Sequence, residues 1–326
     1  MADQTLTIAL DRYDRHVPFF MGSVEPPRGY ALKPLEVGMF PPRRDGVKRH
    51  RRRLVEHEFD IAEVSLCSYI IAVAHGSRLT AVPAFPRRLY SQNHIFVRRD
   101  RGIHSPRDLV GKRVGVWGFQ VTMSVLARGD LKSEHGVPWE EIIWCTEYDE
   151  EIALPDSGAR IERLPAGASA EQWIIEGKLD AYINPHPEFH INDSPDVVRL
   201  FPDPRAECER YFGKYGYYPI MHLLAMKPEL AERDPALPLA VLRMYDDAVA
   251  QMAHYHVDPG YSILPYNRYE AEAARARGQF AKQLWTSGVK ANRANIERFI
   301  GFMVDQKLLE RPLPVESLFH PSVLGT

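Results

Sequence analysis

Residues 103–122 read IHSPRDLVGKRVGVWGFQVT: a polar turn, a valine-rich strand, then small and polar residues that open a helix. In an open α/β sheet, ligands bind beyond the carboxyl ends of the strands. A helix starting there offers unpaired N–H groups and the positive end of its dipole. The charge that suits such a start is a carboxylate. GxxxxGK[ST] and GxGxxG are both absent, so neither a phosphate loop nor a dinucleotide fingerprint is present. Gln120 and Thr122 are the candidate contacts, with helix capping as their ordinary alternative.

Outward from this stretch the same alternation continues. Residues 6–10, 35–40, 61–66, 80–83, 113–117 and 141–145 have strand character and are separated by helical stretches, which predicts an α/β fold with mainly parallel pairing. In the last third, Val241, Tyr245, Ala248 and Met252 share one helical face, as do Ile296, Phe299, Ile300 and Met303. A chain of 326 residues, 45% hydrophobic, is long enough for two domains. SQNHIFVRRD (91–100) and YGYYPIMHLLAM (215–226) are the candidate crossovers. If they pair as a two-stranded hinge, residues 1–92 with 223–326 form one domain and 93–222 an inserted second, with the ligand cleft between them.

Lys and Arg number 41 against 43 Asp and Glu, a near balance that disfavours nucleic acid, and no apolar run suits a membrane helix. The basic run VKRHRRR (47–53) is followed by VEHEFD and reads as a solvated helix face. The N-terminus TLTIALDRYDRH lacks the pattern of an export signal, which predicts a cytoplasmic chain. Cys67, Cys145 and Cys208 are scattered, so free thiols are expected rather than disulfides or a structural zinc. GYYP and the C-terminal tail are candidate surfaces for a homo-oligomer.

Four pieces, FDIAEVSLCSYIIAVAHG, IHSPRDLVGKRVGVWGFQVT, IIEGKLDAYINP and GYYPIMHLLAMKPEL, resemble the two-lobed type II periplasmic-binding-protein fold: two mixed sheets flanked by helices and joined by a two-stranded hinge. Within that fold, NHIFV, VGVWGFQVTMSVLARGDLKSEHGV, IIWCTEYDEE, YYPIMH and LLERPLPVESLF are most similar to the 4,5-dihydroxyphthalate decarboxylase group. The resemblance implies a cytoplasmic carboxy-lyase acting on a hydroxylated aromatic acid without a cofactor. At 117–121 WGFQV stands where that group is expected to carry a more basic and polar loop. A monoacid or a differently hydroxylated benzoate therefore stays open as substrate.

Candidate site residues follow from the strand ends. Arg12 and Arg15 in LDRYDRH, and Arg87 in PAFPRRLY, are candidates to bind a carboxylate in bidentate fashion. Ser65 and Ser68 close another strand and suit a carboxylate or phenol oxygen; no GxSxG elbow surrounds them. His94 and His222 each fall on a proposed crossover and are the candidate proton-transfer groups. Asn184 and His186, after the strand LDAYIN, are candidate substrate contacts, and Phe119 and Tyr218 are candidates to flank the ring. His186 and His190 have metal-ligand spacing with Glu188 between them, but Pro185 and Pro187 oppose a regular helix there, so no metal is expected.

The alternative is a non-catalytic solute-binding protein of a transporter for a small organic acid. An enzyme of thiamine-pyrimidine synthesis on this scaffold would want a cysteine cluster beside a lysine, which the scattered cysteines do not supply. Menaquinone-pathway enzymes on the same scaffold lack a motif match here.

Overall fold

The computed structural model describes residues 4–38, 49–150, 152–153, 156–185, 191, 193–257, 267–278 and 284–326. Its strands are β1 (Gln4–Leu10), β2 (Tyr30–Glu36), β3 (Ile61–Ser65), β4 (Thr80–Arg88), β5 (Ile95–Arg98), β6 (Arg113–Val116), β7 (Ile143–Thr146), β8 (Arg160–Arg163), β9 (Ala181–Ile183), β10 (Val197–Arg199) and β11 (Ile220–Met226). The helices used below are α1 (Arg49–Leu54), α2 (Leu66–Ala74), α3 (Thr122–His135), α4 (Leu237–Val257) and α5 (Val289–Asp305).

The chain divides into two compact units. The first comprises Met1–Arg88, Ile220–Ile296 and Leu313–Thr326; the second comprises Leu89–Pro219 and Glu297–Pro312. The chain passes between them four residues before the expected 92/93 boundary and three before 222/223. Residues 297–312, expected in the first domain, group with the second unit.

The first unit holds a five-stranded sheet in the order β2-β1-β3-β11-β4. β1 runs parallel to β2 and β3, whereas β11 is antiparallel to β3 and β4. Every residue of the central strands β3 and β11 is buried, as expected for strands covered on both faces. Leu6, Ile8 and Leu10 of β1 pack with Val241, Tyr245 and Ala248 of α4, so the periodic face read from the sequence lies in the core.

The second unit holds a six-stranded mixed sheet in the order β10-β5-β9-β6-β7-β8. Phe96, Cys145, Ile174 and Tyr182 share one core cluster there. Phe299 and Met303, predicted to share a helical face, are also buried.

Two strands differ from expectation for one physical reason. β2 begins at Tyr30, not residue 35, and continues through Pro34; β4 runs to Arg88, not residue 83, and continues through Pro83 and Pro86. Both lie at sheet edges, where a residue without an N–H forfeits no ladder bond. Of the segment expected as a strand over 35–40, residues 39 and 40 lie outside the described residues.

Candidate active site

Glu63 sits in the middle of IAEVS, an otherwise apolar strand, with no exposed surface. A buried carboxylate costs several kcal/mol unless it is paired and hydrogen-bonded. The sheet register supplies a partner. β11 pairs antiparallel with β3, His222 opposite Ser65 and Leu224 opposite Glu63, so His222 and Glu63 are diagonal neighbours on one face. His222 Nδ1 and Glu63 Oε1 form a buried hydrogen bond. On its other side His222 pairs with Arg87 of β4, and the β11–β4 register shifts on both sides of His222. Such bulges re-aim side chains and recur beside active sites.

Two more carboxylate contacts complete Glu63. The Asp11 N–H donates to Oε2 at 3.1 Å, and Arg49 Nη2 lies 3.4 Å from Oε1. Arg49, itself fully buried, also contacts Asp11 Oδ2 at 3.4 Å and donates to the carbonyls of Val37 (2.7 Å) and Glu63 (3.1 Å). This corrects the reading of 47–53 as a solvated face. Residues 47 and 48 lie outside the described residues; from Arg49 on the chain is helical, but Arg49 and Arg53 point inward and are fully buried. For Arg49 the reason is charge: it is the shared counter-charge of Asp11 and Glu63.

The electrostatics follow from this packing. Burial pushes the Glu63 carboxyl up, but Arg49 and His222 outweigh it and hold it well below the usual range. Burial lowers the His222 imidazole against the opposing pull of Glu63. His50 is ring-to-ring with His222 at 5.1 Å, edge to face, and accepts at Nδ1 from the Ser65 N–H (3.2 Å). Burial, Arg49 and His222 depress it well below its ordinary value. Burial takes His16, bonded through Nδ1 to the Asp11 carbonyl, down to about 4. Tyr13 OH reaches Asp11 Oδ2 at 3.4 Å, and burial keeps its phenol protonated. The cluster thus offers neutral imidazoles set among fixed charges.

The structure therefore brings His222, Ser65 and Arg87 together. Ser65 accepts from the Ser68 N–H and caps α2. Arg12 is mostly exposed and pairs with Glu36. Arg15 is stacked between the rings of Tyr13 and Trp285, 4.1 Å from each, and donates through Nε to the Pro86 carbonyl. Neither is gathered at His222. Sequence reasoning missed Glu63, Arg49 and His50.

In the second unit, His94 precedes β5, Asn184 follows β9 and 117–122 follows β6. The pairing of Ile183 with both Ile95 and Val116 puts all three at one end of these neighbouring strands. Asn184 N–H donates to the His94 carbonyl (3.2 Å), and its side chain donates to Tyr182 OH (2.6 Å). Tyr218 stacks on Tyr90 at 4.5 Å. The Phe119 and Gln120 N–H groups bind a carboxylate, and it is the chain's own: Phe119 N–H donates to Glu150 Oε1 and Gln120 N–H to Oε2 at 3.1 Å. Gly118 makes room, since a Cβ there would sit 3.1 Å from Oε1. Burial raises the Glu150 carboxyl against these two bonds. Gln120 Nε2 donates to the Ile152 carbonyl (2.8 Å), and Thr122 is buried as the first residue of α3, after a Val121 cap with no side-chain bond. Phe119, expected to flank a ring, is instead fully buried against Trp139, Trp144 and the Arg128 guanidinium, 3.6 Å from its ring centre.

His186, His190 and Glu188 lie outside the described residues. Among the described residues no three His, Cys, Asp or Glu side chains gather as metal ligands, and no helix is long and apolar enough to cross a membrane. Cys67, Cys145 and Cys208 are free thiols.

Residues 35–143 match a family model described as NMT1/THI5 like. Solved structures share the fold. The periplasmic aliphatic sulphonate binding protein of Escherichia coli is 14% identical with a TM-score of 0.56, covering 99% of both chains. The alkanesulfonate-binding protein of Xanthomonas axonopodis pv. citri gives the same identity, TM-score and coverage. At that identity the likeness is one of fold, that of the two-lobed periplasmic binding proteins. Curated relatives carry a different activity in their names. A 4,5-dihydroxyphthalate decarboxylase of Comamonas testosteroni is 30% identical over 99% of this chain and 98% of its own. One of Pseudomonas putida is 34% identical over 49% of this chain and 66% of its own. The chain belongs to the 4,5-dihydroxyphthalate decarboxylase family.

Proposed function

We propose that this chain is a carboxy-lyase that converts 4,5-dihydroxyphthalate to protocatechuate and carbon dioxide, with His222 as the proton donor to the ring. The observation that carries the reading is the buried His222–Glu63 pair in a chain related over its whole length to decarboxylases.

Losing carbon dioxide from an aromatic ring requires a sink for electrons and a proton for the ring carbon. A hydroxyl para to the departing carboxylate provides the first. It gives its proton to solvent, the phenolate pushes electron density onto the carbon bearing the carboxylate, and that carbon takes a proton from His222 Nε2. The bond to the carboxylate then breaks, its electrons return to the ring, and carbon dioxide leaves. Solvent reprotonates His222 and the phenolate, so the sum is one proton consumed and one carbon dioxide released. This sequence needs no cofactor.

Glu63 fixes the imidazole through Nδ1 and stabilises the imidazolium that must form. The burial that depresses His222 in the free protein is offset when a dianion arrives, because nearby negative charge favours the imidazolium. Arg87, beside His222 in the sheet, is the carboxylate partner, and such charge-assisted bonds contribute about 1.5–3 kcal/mol each. Ser65, opposite His222, is positioned for a substrate oxygen.

The same reading takes the partner to be one small aromatic diacid and the compartment to be the cytoplasm, where three free thiols are the ordinary state. The test is turnover: purified protein with 4,5-dihydroxyphthalate should release protocatechuate and carbon dioxide, and His222→Ala should abolish it. A solute-binding role predicts binding without turnover, and an unaltered rate in His222→Ala removes the proton assignment.

A further inference from the structure

The decarboxylation just described leaves one demand unassigned. Negative charge gathers on the oxygen para to the leaving carboxylate, at the opposite end of the ring from the carbon that His222 protonates. One imidazole cannot serve both ends, so a second group must face that oxygen.

His50 has the properties required. Its ring stands edge to face against His222, with 5.1 Å between centres. Its Nδ1 accepts the Ser65 backbone N–H at 3.2 Å, a bond that requires a lone pair on that nitrogen. A neutral imidazole carries its proton on the other nitrogen, so the tautomer assigned from this bond presents Nε2–H. The charged groups facing His50 are Arg49, Arg87, His222 and Glu63. Two of them are permanent cations, and the third is the imidazole that must itself become positive. Two adjacent imidazoles do not both ionise at modest cost. The carboxylate that supports protonation is hydrogen-bonded to His222, not to His50.

We propose that His50 is a further catalytic residue of this site: a neutral imidazole whose Nε2–H donates a hydrogen bond to the ring oxygen para to the departing carboxylate. A neutral donor suits this task because it stabilises the oxyanion without giving it a proton, which would trap the electrons needed at the ring carbon. Preorganised donors aimed at developing charge act in this way, and a neutral imidazole is known to serve as one. The Ser65 N–H fixes the tautomer, so β3 supplies both Glu63 for His222 and the backbone bond that orients His50.

This assignment rests on the decarboxylase reading, and the experiment separates the two. Steady-state kinetics with 4,5-dihydroxyphthalate are compared for the wild type, His50→Leu and His50→Gln, with thermal melts to establish folding. His50→Leu should lose about 10²–10³ in kcat, the usual cost of one oxyanion donor, with little change in KM. His50→Gln, which keeps an N–H near the Nε2 position, should recover at least tenfold of that loss. The pH dependence of kcat should keep the same limb in His50→Gln, because a neutral donor does not titrate in that range. Protocatechuate bound to the wild type should show the near-ultraviolet band of a phenolate, and His50→Leu should lose it. A wild type that turns over while His50→Leu matches it overturns the His50 assignment alone, as does a folded His50→Gln no faster than His50→Leu. A folded wild type that does not turn over the diacid overturns the decarboxylase reading and the assignment with it.

Discussion

Glu63→Gln is nearly isosteric and removes one charge, so its cost can be worked from the contacts. Glu63 accepts from His222 Nδ1 and from the Asp11 N–H, and faces Arg49 Nη2. Glutamine has one acceptor oxygen. Whichever way its amide turns, its NH2 meets a donor, leaving a buried polar group unsatisfied at about 1–3 kcal/mol. Among the described residues Arg49 then keeps only Asp11 as a counter-charge, and losing one partner of a buried ion pair costs about 3–5 kcal/mol. A loss near the lower figure, about 3 kcal/mol, lowers Tm by about 6–12 °C for a unit of this size. The variant should therefore still be folded at 20 °C.

Its effect on turnover is of another kind. Without the carboxylate, burial depresses the His222 imidazole further, and each unit of that depression lowers the imidazolium fraction tenfold above the pKa. The orientation of the ring is lost as well. Together these predict a fall in kcat of about 10²–10⁴ at pH 7, the range for a positioned general acid, with partial recovery as the pH is lowered. The assay is protocatechuate release at 20 °C across pH 5 to 8, beside a melt of the same sample. A folded Glu63→Gln that keeps wild-type kcat, or whose activity does not recover in acid, refutes the reasoning.

The remaining predictions concern titration, charge and packing. Because His222 is depressed in the free protein and raised by a bound dianion, kcat/KM should fall at lower pH than kcat as the pH rises; coincident limbs, or a rate that climbs with pH, would exclude the imidazolium as donor. Arg49→Met should destabilise by about 3–5 kcal/mol in denaturant melts. Arg53→Met should instead be neutral or stabilise by up to about 4 kcal/mol, since Arg53 is fully buried, its three nitrogens have no hydrogen-bond partner among the described residues and burial brings it down to about 10. Gly129→Ala would gain about 1 kcal/mol on helix propensity alone, but a Cβ at Gly129 would overlap the Phe302 ring. A net loss of about 1–3 kcal/mol is expected in melts. Asp130, buried and bonded to Ser91 at 2.7 Å, is raised by burial to about 6; a raised carboxyl loses stability as pH climbs from its unfolded value through the folded one. Wild-type Tm should therefore decline between about pH 4 and 6 relative to Asp130→Asn, by the equivalent of about 3 kcal/mol.

Much of this architecture was legible because it is written in local periodicity. The apolar face of α4 and the strand before Trp117 depend on side chains a few residues apart, and they lie where their spacing puts them. The site was legible in part. His222 could be singled out from its strand, but Glu63 could not be chosen as its partner, because the pairing of β11 with β3 joins residues 159 apart. One signal was present and unused: a lone carboxylate in the apolar run IAEVSLCSYIIAVA must be buried if the strand is, and a buried carboxylate must be paired. A second was the spacing within VKRHRRR. Charge density suggested a solvated surface, yet Arg49 and Arg53 are four apart and share one helical face, the face that is buried here.

The stretch 117–122 shows where local reading stops. That its backbone N–H groups suit a carboxylate follows from the strand-to-helix turn and from Gly118, and they do hold one. Which carboxylate they hold is a tertiary fact. Glu150 arrives from about thirty residues further along, and its oxygens occupy the space that the missing Cβ leaves. A ligand carboxylate reaching those two amides would have to displace a partner that is already desolvated and bidentate. In the first unit Arg87 and Ser65 flank the His222 imidazole in register. The proposed chemistry draws on β3 and β11, whereas the turn that looks most like a binding site from sequence already holds a carboxylate of the chain itself.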